Sequence, residues 1–99
     1  MGNLTSNIST KFGIASYTIF ECTNDAYQVA GLVGENSDFH RYDVNTGNRT
    51  KISDLSFEAN AIGFSPKTDA IWAIDQAKNT NIIHVVLIDK TGKSIFYKV

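Results

Sequence analysis

Cysteine, proline and tryptophan each occur once in the 99 residues, and no charge of one sign prevails. The single Cys22 cannot build an intramolecular disulfide framework, so the fold holds without staples or Cys22 pairs between chains. Lys and Arg number 9 against 10 Asp and Glu, a net charge of −1 with no basic patch. Nucleic acid and anionic membrane surfaces therefore find no electrostatic partner here. Apolar runs such as Val85–Ile88 fall far short of the ~20 residues that span a bilayer, so membrane insertion is not expected. The N-terminus lacks a basic stretch followed by an apolar core, so no secretory signal is visible.

Chemical motifs are equally scarce. There is no glycine-rich phosphate loop, Gly-x-Ser-x-Gly elbow, His-x-His pair or paired-carboxylate motif. No metal and no cofactor is expected. His40 and His84 lie 44 residues apart, and each reads as a strand residue with a local hydrogen bond. Cys22 with either histidine would make a nucleophile and base, a pairing that almost any chain contains. Asp43-Val44-Asn45-Thr46-Gly47 has the oxygen spacing of a calcium-loop start but lacks the distal bidentate Glu. An Asx-type hairpin turn suits it better, with Gly47 supplying positive φ. Met1-Gly2-Asn3-Leu4-Thr5-Ser6 fits the myristoylation pattern and also an ordinary start. Asn3-Leu4-Thr5, Asn7-Ile8-Ser9 and Asn48-Arg49-Thr50 match the glycosylation tripeptide, as expected by chance in a chain rich in Asn, Ser and Thr.

What the sequence does hold is an internal echo. Phe20 followed by Asp25-Ala26-Tyr27 returns as Phe64 followed by Asp69-Ala70-Ile71, and Asp43…Thr46-Gly47 returns as Asp89…Thr91-Gly92. The offset is 44 residues at the phenylalanines and 45 at the Thr-Gly pairs, so one insertion accounts for the drift. A period in the forties is the length of a four-stranded propeller blade.

Residues 1–11 are polar and aperiodic and read as a flexible N-terminal arm. Residues 12–99 read as one β domain, with a first blade over 12–56 and a second over 57–99. Strands are expected near 12–20, 27–33, 38–44, 49–53, 60–65, 70–74, 82–88 and 94–99, with Gly, Asn, Asp and Pro66 in the breaks. Several strands are apolar on both faces. Ile82, Val86 and Ile88 oppose Ile83, Val85 and Leu87, and Trp72 and Ile74 oppose Ile71 and Ala73. A blade sandwiched between neighbours has that pattern, whereas a two-sheet sandwich leaves polar outer faces. Gly63 fits a crowded innermost strand or, equally, a bulge. The fold class is all-β: two four-stranded antiparallel propeller-like blades. Two blades leave apolar faces bare, so several chains are expected to complete a ring by homo-oligomerisation, three being favoured.

The stretch Phe39-His40-Arg41-Tyr42-Asp43 to Thr46-Gly47, with Asn60-Ala61-Ile62-Gly63-Phe64 and Leu87-Ile88-Asp89, resembles a propeller repeat of bacterial surface and extracellular proteins. The resemblance covers residues 39–92, implies an extracellular or cell-surface location, and carries no catalytic residues. In size and two-blade build the chain is also similar to small lectins that make six blades from three chains and bind fucose through Arg, Glu and Trp. Arg41, Glu35 and Trp72 are present here without that spacing or repetition. The function expected is non-catalytic recognition of a glycan or protein ligand. The alternatives are a structural subunit of a larger complex or toxin, or a small hydrolase using Cys22 or a histidine. Trp72 is the first candidate for ligand contact, since a rigid amphipathic ring stacks on a sugar or anchors an interface. Arg41, Tyr42 and Asp75 follow because they border loops or strand ends.

Overall fold

The computed structural model describes residues 4–10, 13–20, 25–31, 34–75 and 84–98. Among them every regular element is a strand, and every pairing is antiparallel between neighbours in the chain. β1 (Thr5–Thr10) and β2 (Gly13–Thr18) form a hairpin. β3 (Asp25–Ala30), β4 (Asp38–Asp43) and β5 (Arg49–Asp54) form a three-stranded sheet. β6 (Ala59–Ser65), β7 (Ala70–Asp75), β8 (His84–Ile88) and β9 (Ser94–Lys98) form a four-stranded sheet. The part of the 82–88 expectation that falls on Ile82 and Ile83 lies outside the described residues, as does Cys22.

The four-stranded sheet is apolar on both sides, as its alternation foretold, and each side has its own cover. Ile71, Ala73, Val86 and Ile88 face the three-stranded sheet, where they join Phe20, Phe39, Leu55 and Phe57 in the larger core. Register partners share a face, and Ile71↔Ile88 and Ala73↔Val86 are partners. The opposite face presents Ala70, Leu87 and Ile95 to Tyr17 of the hairpin, with Ile8, Ala15, Ile19 and Trp72 packed around them. Phe39, Val86, Leu87 and Ile88 are fully buried, each contributing about 1.5–3 kcal/mol by leaving water. An edge-on cluster of Phe20 with Tyr27, Phe39 and Phe64 closes one margin of the larger core.

Two expectations are corrected here. Residues 5–10 are a strand rather than an arm, because the β-branched Thr5, Ile8 and Thr10 favour extended backbone and Ile8 joins an apolar stripe with Ala15, Tyr17 and Ile19. The first unit is not one four-stranded blade but a two-stranded and a three-stranded piece. By the echo β2 is the counterpart of β6; yet β6 pairs with β7, while β2 pairs with β1 and leaves β3. The gain is burial: the hairpin stripe covers the face that Ala70, Leu87 and Ile95 would otherwise bare. The ring was expected in order to cover such faces, and for the four-stranded sheet that cover comes from within the chain.

The hairpin is fastened by hydrogen bonds as well as packing. The Phe20 N–H donates to the Asp69 carbonyl at 3.0 Å, and the Lys90 N–H to the Thr18 carbonyl at 3.2 Å. The Tyr17 hydroxyl donates to the Thr68 carbonyl at 2.8 Å, and Lys93 Nζ to the Ser16 carbonyl at 2.9 Å. The strongest fastening is Asp89, 1 % exposed. Its Oδ2 accepts from the Thr18 N–H, while Oδ1 accepts from the Thr91 N–H, the Thr91 hydroxyl and the Lys93 N–H.

The echoed Asp-to-Gly turns share one construction. Asp43 Oδ1 accepts from the N–H groups of Asn45 and Thr46, as Asp89 Oδ1 does within its own turn. Gly47 and Gly92 take φ of 77° and 87°, the left-handed region glycine enters without strain. The first turn is one residue longer, so the Gly47 N–H reaches back four residues to the Asp43 carbonyl and the Gly92 N–H three to that of Asp89.

Candidate functional site: an aromatic ledge on the four-stranded sheet

The hairpin covers only part of its face. From Trp72, at the margin of that cover, the same face continues through Gly63, Ile74, Val85 and Tyr97, since Gly63↔Trp72, Trp72↔Leu87, Ile74↔Val85 and Val85↔Tyr97 are register partners. Trp72, Ile74 and Val85 are half-buried, and Gly63 and Tyr97 are exposed. Trp72 Nε1 donates to Thr68 Oγ1 at 2.9 Å, which fixes the indole in its plane. Tyr97 meets the indole edge-on, centroids 6.4 Å apart at 78°. Opposite Trp72 on β6, Gly63 has no side chain, and a Cβ built there would meet nothing within 4 Å. The result is an aromatic ledge beside a bare strip of backbone, which a flat ligand can approach closely.

The four ligand-contact candidates are not brought together. Trp72 and Asp75 lie three residues apart on β7 and therefore on opposite faces. Asp75 instead stands beside its register partner His84, Oδ2 to Nδ1 3.6 Å, with Phe96 edge-on to that imidazole at 6.2 Å. Arg41 and Tyr42 belong to β4 in the other sheet, again on opposite faces. Arg41 is exposed, and the Tyr42 hydroxyl donates to Gln28 Oε1 at 2.7 Å. Gly63 and Tyr97 are the ledge residues that sequence reasoning did not name as contacts. Their signal was the period-2 pattern that puts Tyr97 on the side of Val85 and Leu87.

The two histidines differ in surroundings. His84 has Asp75; His40 is buried at 7 % exposure, and its Nδ1 finds no hydrogen-bond partner among the described residues. Among the described residues no three His, Cys, Asp or Glu side chains gather in a way that could hold a metal ion. The surface pair Lys51–Asp54, 2.8 Å apart, holds the Asp54 carboxyl below the usual carboxylate range and raises the Lys51 ammonium. Both side chains are exposed, so the pair stabilises the β5 edge only weakly.

No protein-family model matches the chain, and neither a curated protein nor a solved structure was found that resembles it.

Proposed function

We propose that the chain is a non-catalytic recognition module that binds a glycan through the Trp72 ledge. The observation that carries the reading is the indole itself, held by Thr68, flanked by Tyr97 and facing the bare backbone of Gly63. A pyranose ring presents a flat patch of C–H groups that stacks on such a surface, and its hydroxyls reach the polar rim. The ledge lies on a sheet whose two faces are packed, so the seat is preorganised and little ordering opposes binding. The resemblance to bacterial surface repeats supports the same reading, and β6–β9 is a four-stranded antiparallel meander, the strand count a blade would need.

Because Trp72 is the one tryptophan, its fluorescence reports on the ledge directly. A glycan array followed by titration of the best hits should quench or shift that emission. Trp72→Ala should abolish capture while circular dichroism stays that of a folded β protein. An array with no hits, together with affinity capture that recovers a protein through the same residue, would move the reading from glycan to protein.

A further inference from the structure

The edges of the sheets differ in how they are guarded. β3 opens on Asp25, β5 carries Arg49, Lys51 and Asp54, and Lys93 stands just before β9, whose Phe96 and Tyr97 are partly exposed. β1 is Thr, Ser and Asn apart from Ile8, and the side of β2 meets Lys90 and Lys93 of the β8–β9 turn. β6, one edge of the four-stranded sheet, reads Ala59-Asn60-Ala61-Ile62-Gly63-Phe64-Ser65, with no charge and no proline; its ladder to β7 shifts register between Ala59 and Ile62 and runs regularly from Ile62 to Ser65. Ile62 and Phe64 are 45 % and 54 % exposed, both on the face that carries the larger core. An uncharged, apolar edge strand is a template for another strand.

We infer that β6 pairs antiparallel with β6 of a second copy of this chain, joining two four-stranded sheets into one continuous sheet about a two-fold axis at Gly63. The strand is self-complementary about that residue. With Gly63 opposite Gly63, Ile62 of each copy lies across from Phe64 of the other, an aromatic to β-branched pair on the core side. The strand has no charge to repel its copy, and the Phe64 ring already rests on Phe20, so the new pair extends the core outward. The two-fold makes the contact isologous and closes it at two chains.

The pairing also arranges the ledges. Trp72 is the register partner of Gly63, so Trp72, Gly63, Gly63 and Trp72 fall in one row across the joined sheet. Three inter-strand steps separate the two indoles, about 14 Å on a single face. Only this bivalency rests on the glycan reading; the dimer rests on the β6 edge.

Light scattering across micromolar to millimolar concentrations should give twice the 10.9 kDa chain mass. Ile62→Lys and Phe64→Glu change exposed side chains, and each should run as a folded monomer. An equimolar mixture of the two should recover the dimer, because Lys at 62 then meets Glu at 64 while the second row keeps its Ile–Phe pair. Wild-type protein that is monomeric throughout, that assembles as three chains, or whose dimer survives both substitutions overturns the inference. So does a mixture that stays monomeric, since it refutes the register. Glycan capture separates the two claims. Ile62→Lys should keep single-site binding and lose about a hundredfold of avidity on a dense glycan surface, whereas Trp72→Ala should lose binding with the mass unchanged.

Discussion

Replacing Asp89 by alanine removes the carboxylate that fastens the hairpin to the β8–β9 turn. Four donors lose their acceptor: the Thr18, Thr91 and Lys93 N–H groups and the Thr91 hydroxyl. Thr91 and Lys93 are exposed, so water re-solvates their groups at little cost, whereas Thr18 is half-buried. A buried donor left unpaired costs about 1–3 kcal/mol, and hydrogen bonds to a charged group contribute about 1.5–3 kcal/mol each before such compensation. A total near 3 kcal/mol follows, a large part of the roughly 5–15 kcal/mol available to a domain. At about 4–8 °C per kcal/mol for a chain of this size, Tm should fall by some ~12–24 °C. Asp43→Ala is the internal control. It occupies the echoed turn, but among the described residues its carboxylate accepts from the exposed Asn45 and Thr46 alone, and the loss should be about 1 kcal/mol or less. Asp89→Asn keeps an acceptor at the Oδ1 position and sets an amide N–H against the Thr18 N–H, so it should fall between. Urea melts of the three variants measure the differences. Equal losses at Asp43 and Asp89, or Asp89→Ala within 1 kcal/mol of wild type, would refute the view that burial, not the turn motif, sets the energy.

Gly92→Ala should destabilise by about 2 kcal/mol in the same melts, because positive φ is combined with a Cβ that runs into the Ser53 side chain; Gly47→Ala, with open space around it, should cost about 1 kcal/mol. Phe39→Ala empties the centre of the larger core and should cost about 3–5 kcal/mol by calorimetry. Tyr17→Phe deletes only the hydroxyl that reaches the Thr68 carbonyl, for about 1 kcal/mol. Lys51 lowers the Asp54 carboxyl below its usual 3.8, so the pair's contribution is present above that pH and is lost as pH falls through the lower folded value. An NMR titration of Asp54 should show the depression, and Lys51→Ala or high salt should relieve it.

The strands were legible because their breaks are chemical. Asp43 and Asp89 cap their own turns, and Gly47 and Gly92 need the left-handed conformation, so those boundaries stand in the sequence itself. The two-sided burial of β7 and β8 was legible for a similar reason, as alternation carries no polar face. What the echo could not convey was partnership. Phe20 and Phe64 occupy like positions in their units, but a period says nothing about which edge a strand takes. β2 went to β1 because Ile8 completes a stripe that covers Ala70, Leu87 and Ile95. Polar Thr5–Thr10 read as an arm because one apolar residue in six hides a face. At the ledge, Trp72 was legible as a rare aromatic, whereas Gly63 and Tyr97 join it only through register across three strands. Arg41 and Tyr42 lie within β4, in a different sheet.

The bond from the Thr18 N–H to the Asp89 carboxylate spans 71 residues. On a ribosome the hairpin emerges first and waits while nearly all the rest of the domain is made, with Ile8, Ala15 and Tyr17 lacking the surface they cover. The turn that follows β8 is thus the one that locks β1 and β2, and such distant closure is slow and leaves apolar surface bare meanwhile. A nascent chain cut before Asp89 would hold every strand up to β8 and still lack its latch. Growing this protein from one end to the other is therefore a race between completing the chain and finding another chain's apolar face.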